Sequence, residues 1–320
     1  MGSVPDGAGG SVPVWAYHLR TGTGFDALVC SYGAALLEVW APDRSGAFAN
    51  VVHRAPDLAS LRTSVGYLGV TMGRYARIVA HGRMVIDGVP HQLDRNIDGH
   101  HLHGGSRGFD SHVWAAESGA TARTAWVRLT HRSPDGDQGY PGEVLARTTY
   151  TVVADHTLSV EHEATTTRPT VVGLTTHAYW NLAGRGVIDD HELRVASGRV
   201  IPTDEAFVPT GPPAPVDGTG ADLRRPRPLA GLRLDACWAV DDAWCLELSE
   251  PAGGRRMRVW TDQPGLALYT AEGLARPRAG LCVQTGDWPD APNRPDYPSC
   301  LLRPGETYRS RTRYVFTVAP

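Results

Sequence analysis

The chain has 320 residues and a formal net charge of −3, with 42% hydrophobic and 20% charged residues. That balance supports a large buried core and lacks the polycationic character through which nucleic-acid binders hold phosphate, so no nucleic-acid partner is expected. All 31 basic residues are arginine, which excludes a catalytic lysine or Schiff base.

Residues 1–13 are rich in Gly, Ser and Pro and read as a flexible N-terminal segment ahead of one domain over residues 14–320. The segment lacks the basic start and apolar run of a signal peptide, and no apolar run approaches the roughly 20 residues that cross a bilayer. A cytoplasmic protein without a membrane partner is the expectation. Cys30, Cys237, Cys245, Cys282 and Cys300 are odd in number and contain no Cys-x-x-Cys pair, so neither a disulfide framework nor a structural zinc site is indicated. Gly22-Thr-Gly24 reads as a hairpin turn, because no helical pattern follows it. Arg83 to Leu93 reads as two short strands around Asp87-Gly88, a strong hairpin signal. Alternation of apolar and polar residues marks Ala125 to His131, and a second hairpin over Ala146 to Thr167 turns at Asp155-His156. Pro209 to Gly220 is a long surface loop. Further β-rich runs lie at Met257 to Thr261, Leu266 to Thr270 and Arg311 to Val318. Apolar residues at the 3.6-residue helical period are scarce, so the chain reads as all-β.

Gly104-Gly105-Ser106-Arg107-Gly108 fits the Gly-x-Ser-x-Gly pattern, but a nucleophile elbow needs a strand before it and a helix after it, and neither is indicated. His100, His101, His103 and His112 can supply metal ligands or hydrogen bonds to a polar ligand; no acidic partner stands at fixed spacing, so no metal is expected. Thr176-His177-Ala178-Tyr179-Trp180-Asn181 places an imidazole among aromatics and an amide in a β context.

Taken in order, several segments resemble the aldose 1-epimerase (galactose mutarotase) family from about Val14 to Val318. Ser31 to Leu36 with Ala41 to Gly46 resembles its opening strands, and Gly69 to Ala76 its Gly-Arg-x-Ala segment. Leu102-His103-Gly104-Gly105 with Gly108-Phe109-Asp110 resembles its most distinctive signature. The segment from Thr176 to Gly184 resembles the one carrying its catalytic acid, Leu234-Asp235 the one carrying a substrate-binding Asp, and Gly280 to Thr285 with Trp288 to Ala291 the one carrying its base. The resemblance implies a single-domain antiparallel β-supersandwich with an open cleft, no cofactor, and a small-molecule substrate that is a sugar or sugar-like cyclic hemiacetal. It implies His177 as general acid, His103 as a hydrogen-bonding partner to the ring oxygen or a nearby hydroxyl, and Asp235 as an acceptor for substrate hydroxyls. Arg77, Asn181 and Trp180 complete the candidate binding set; in the reading as a non-catalytic carbohydrate binder, Trp180 and Trp288 are stacking platforms for a pyranose face.

Three positions depart from the family. Gln284 occupies the base position, where an amide accepts hydrogen bonds but not a proton at any useful pH. The family's Asn-Arg pair falls on Arg77-Ile78 without a gap, whereas a one-residue shift makes Arg77 the binding arginine and deletes the Asn. Glu272 stands near where the family has a polar amide and offers a carboxylate close to the cleft. The sequence therefore points to an aldose 1-epimerase-like isomerase diverged from ordinary mutarotation. A biosynthetic cyclase or dehydratase acting on a non-sugar intermediate, and a non-catalytic carbohydrate binder, are the alternatives.

Overall fold

A computed structural model describes residues 1–5 and 9–319. Antiparallel sheets dominate. Nine strands form the largest sheet, in spatial order Ala115–Ala120, Thr124–Ser133, Val144–Val153, Thr157–Thr166, Tyr308–Val318, Arg255–Thr261, Trp244–Ser249, Glu192–Val195 and Arg227–Pro228. A seven-stranded sheet runs Ala214–Pro215, Arg199–Val200, Asp235–Ala239, Gly265–Tyr269, Leu281–Gly286, Tyr179–Trp180 and Val52–His53. A four-stranded sheet, Ala16–Arg20 to Phe48–Asn50, flanks them. Among the described residues no helix is long and apolar enough to cross a membrane.

The alternation read in the sequence becomes the layering. In Val144–Val153 buried and half-buried positions alternate without a break, as a strand with one face on the core requires. Val127, Leu129, Tyr150 and Leu158 of the large sheet meet Trp180, Leu266, Leu281 and Val283 of the seven-stranded sheet in one apolar cluster. The Asp87-Gly88 hairpin pairs Arg83–Ile86 with Val89–Gln92, and the Asp155-His156 turn joins two ten-residue strands. Leu281–Gly286 is different, because all six residues are buried. Leu281 and Val283 face the core, while Cys282 and Gln284 face the opposite side, under a second layer of loops.

Two expectations need correction. Residues 2–5 and 11–14 are not a flexible leader: Gly2–Pro5 pairs antiparallel with Ser11–Val14, and Val4 and Val14 pack with Leu58 and Leu61. Apolar burial of two valines outweighs the turn-prone composition there. Trp180 is not a stacking platform for ligand. It is fully buried, 4.8 Å from the Tyr314 ring and 5.7 Å from Phe316. Trp288 is likewise packed, edge-on to Tyr297 and donating its indole N–H to the Pro264 carbonyl.

Truncating Trp180 to Ala should therefore act on stability, with a loss of roughly 3–5 kcal/mol in urea denaturation. A change below about 1 kcal/mol would contradict its place in the core.

Candidate active site

Strand parity builds the site. Core-facing Trp180, Leu266, Leu268, Trp238, Leu281 and Val283 leave their odd or even neighbours on the outer face. These neighbours are Tyr179, Ala267, Tyr269, Cys237, Asp235 and Gln284, and together with His177 they line a cleft of about 410 Å³. Cross-strand pairing sets Asp235 opposite Tyr269, Tyr269 opposite Cys282, and Cys282 opposite Tyr179; Ala267 lies opposite Gln284. The far wall comes from loops, through Tyr67, Arg77, Ile78, Asn96 and His103.

His103 projects from the Leu102-His103-Gly104-Gly105 turn. A Cβ at Gly104 would fall 1.8 Å from the Gly73 carbonyl oxygen, and its φ is +92°, so only glycine lets the turn approach that close. Asn96 clamps the same loop, donating to the Leu102 carbonyl and accepting from the Leu102 N–H at 2.9 and 2.8 Å. His103 Nδ1 lies 2.5 Å from the Ala76 carbonyl. A carbonyl only accepts, so Nδ1 carries the proton and Nε2 is the acceptor. Burial, with Arg77 and His101 adding to it, pushes this imidazole down to about 4; it is neutral at pH 7.

His177 meets His103 at right angles, ring centroids 5.2 Å apart. Burial and then the neighbouring His103 hold it well below the ordinary histidine range. Its Nδ1 is 3.3 Å from Cys282 Sγ. Burial pushes the Cys282 thiol up to about 12, so the sulfur keeps its proton. Gln284 Nε2 donates to that sulfur at 3.4 Å. The protonated thiol can donate to His177 Nδ1, and in that tautomer His177 Nε2–H is the donor toward the cleft.

Arg77 holds the floor. Its Nη1 donates to Gln284 Oε1 at 3.0 Å, Nη2 to the Gln284 carbonyl at 3.0 Å, and Nε to the Asp287 carbonyl at 3.1 Å. The structure thus places the guanidinium of Arg77 on Gln284 and the side chain of Ile78 on the cleft wall. Arg77 acts on Gln284 first, and only its remaining N–H groups face outward.

Asp235, at the exposed end of its strand, lines the same cleft. Burial, then the Glu272 charge, raise its carboxyl to about 6, against the opposing pull of Arg77. Glu272 itself lies off the cleft. Thr270 Oγ1 donates to both its oxygens at 2.7 and 2.9 Å, and Arg278 donates to it at 2.9 Å; that salt bridge turns it away and corrects its expected role. Asn181 is corrected too. Its amide donates to the Ala279 and Arg185 carbonyls at 3.0 and 3.2 Å and braces the following turn.

The other histidines do not converge. His101 joins the Asp94 carbonyl and the Tyr140 hydroxyl, at 2.7 and 2.6 Å. His100 stacks on His81 at the rim, and His112 stacks on His131 elsewhere. Ser106 is exposed and donates to Asp94, and a single 3₁₀ turn, Phe109–Ser111, follows it instead of a helix.

A family profile described as aldose 1-epimerase matches residues 16–315. The chain belongs to the aldose 1-epimerase family. Galactose mutarotase from Rattus norvegicus is 35% identical over 343 aligned positions, covering 100% of this chain and 98% of that one. Aldose 1-epimerase from Escherichia coli is 29% identical over 344 positions, covering 98% and 97%. The crystal structure of an aldose epimerase homologue from C. elegans has a TM-score of 0.91 at 26% identity, covering 96% of this chain and 100% of that one. As an aldose 1-epimerase family member the protein is an isomerase.

Asp287, whose carbonyl receives Arg77, was not anticipated as a titrating group. Burial raises its carboxyl to about 7, partly offset by Arg77, and its Oδ2 has no hydrogen-bond partner among the described residues. The unfolded chain ionises this carboxyl near pH 4, so its contribution to stability is intact below that value and is lost as pH rises through about 7. Asp287→Asn should melt higher than the parent at pH 8, by an amount on the order of a few kcal/mol, and differ little at pH 4. Equal melting temperatures at pH 8 would contradict the buried, unpaired placement.

Proposed function

We propose that this isomerase opens and recloses a sugar-like cyclic hemiacetal, using the orthogonal pair His103 and His177. The observation that carries this reading is the pair of neutral imidazoles set at right angles in the cleft, ring centroids 5.2 Å apart, with the Ala76 carbonyl fixing His103 Nε2 as an acceptor.

Ring opening moves one proton from the anomeric hydroxyl to the ring oxygen and breaks the bond between that oxygen and the anomeric carbon. His103 Nε2 accepts the anomeric proton. His177 Nε2–H hydrogen-bonds the ring oxygen and takes up the negative charge that develops there as the bond breaks, as a neutral imidazole can. The His103 imidazolium then delivers its proton to the ring oxygen, which leaves an open-chain carbonyl and both histidines neutral. Rotation about the adjacent carbon–carbon bond and reversal of the steps give the other anomer. Asp235 accepts from other hydroxyls of the substrate.

An imidazole held near pKa 4 is a weak base at neutral pH, and Gln284 supplies none, so a carboxylate at 284 adds a base the parent lacks. Polarimetry of α-galactose and α-glucose should therefore show slow anomer interconversion by the parent, abolished in His103→Ala. Gln284→Glu should gain roughly 10²-fold or more. A parent rate unchanged by replacing either His103 or His177 would overturn the assignment. The pH profile checks the second role. As pH falls through about 6 the Asp235 carboxylate is neutralised, so kcat/KM should decline there, and the limb should vanish in Asp235→Asn.

A further inference from the structure

We propose that the substrate is a neutral cyclic hemiacetal bearing an apolar substituent, with its ring on His103 and His177 and its substituent against Val65, Ile97 and Phe207. This deepens the ring-opening reading and rests on it.

The cleft is two-toned. Ile78, Ala267 and Cys237 are set among the polar side chains of the cleft, with Ala267 directly opposite Gln284. A fully hydroxylated sugar filling this space would leave hydroxyls facing aliphatic groups with no partner, each at the cost of lost hydration. Arg77, the cation best suited to gather hydroxyls, already donates to three protein acceptors.

The mouth extends the apolar surface outward. Val65, Phe207 and Ile97 are 85%, 45% and 38% exposed, and all three line this cleft. They come from three separate loops, so no local pattern brings them together. Two of the loops are braced. Asp204 Oδ1 accepts from the Ala206 and Val208 N–H groups, both at 2.9 Å, on either side of Phe207. Phe207 itself takes a φ of +62°, unfavourable for an aromatic residue and maintained by that brace. Ile97 exchanges backbone hydrogen bonds with His100 at 3.2 and 2.6 Å. A fixed, exposed apolar ring above polar side chains marks a binding surface for an amphipathic ligand. Asp98 and Glu205 at the same rim repel an anion, and contact with Val65, Ile97 and Phe207 disfavours a charge of either sign on the substituent.

The test is calorimetric titration of D-galactose and its 3-O-hexyl and 6-O-hexyl ethers, each with a free anomeric hydroxyl, into the parent and into a Val65→Ser/Phe207→Ser variant. At least one ether should bind the parent about tenfold or more tightly than galactose, the gain of two methylenes leaving water. In the variant that preference should largely disappear. The proposal is overturned if neither ether gains over galactose in the parent, or if the gain persists in the variant. Galactose turnover with no ether preference sinks this inference alone, whereas silence of all three compounds in both binding and polarimetry sinks the ring-opening reading with it.

Discussion

The site depends on the contact between the Arg77 guanidinium and the strand Leu281–Gly286. Three hydrogen bonds tie a loop cation to the Gln284 side chain, the Gln284 carbonyl and the Asp287 carbonyl. A buried cation is tolerated only when its donors are satisfied, and here backbone and amide oxygens satisfy them without a close carboxylate. The electrostatics of the pocket follow. The uncompensated positive charge adds to burial in holding His103 and His177 neutral. It also limits how far burial raises Asp235 and Asp287. Burial sets the protonation state of these four groups, and Arg77 modifies all of them.

The cleft is the reverse side of the core. Every strand of the seven-stranded sheet that reaches the site alternates between apolar residues packed on the large sheet and residues pointing into the pocket. Trp180 and Tyr179, or Val283 and Gln284, are chain neighbours with opposite duties. Close packing of the inner face fixes the strands to within the tolerance of side-chain interdigitation, and the outer face inherits that precision. The residues from loops, His103 and Arg77, are instead held by clamps: Asn96 on the Leu102 backbone, and Arg77 itself on the strand.

Strand content was legible because alternation is local, and Asp87-Gly88 and Asp155-His156 mark their turns within a few residues. His177, His103 and Gln284 were legible as a group only through resemblance, since they are 74 and 107 positions apart and no spacing rule joins them. Trp180 and Asn181 were misjudged for a physical reason. The two-residue period of the strand sends Trp180 to the face opposite Tyr179, and Asn181, past the strand's end, turns to the Arg185 and Ala279 carbonyls. Glu272 was misjudged because its partner, Arg278, lies across a turn that sequence alone does not close. The apolar mouth left no trace in the sequence, as Val65, Ile97 and Phe207 belong to loops more than 30 residues apart.

Gln284 is more than a missing base. Arg77 claims Oε1, so the amide cannot flip without placing two donors face to face, and Nε2 is directed along the face that carries Cys282 and His177. A carboxylate at this position presents acceptors; the clamped amide presents a donor. The polarity of the floor is therefore inverted, and a substrate group resting there is best served by an oxygen with lone pairs to offer, such as a ring ether or carbonyl, and not by a hydroxyl that must lose its proton. His103, with its acceptor nitrogen fixed by the Ala76 carbonyl, is left as the group that can receive that proton. Arg77 and Gln284 make chemical sense as a pair: the arginine locks the amide, and the acceptor nitrogen of His103 stands on the other side of the same cleft.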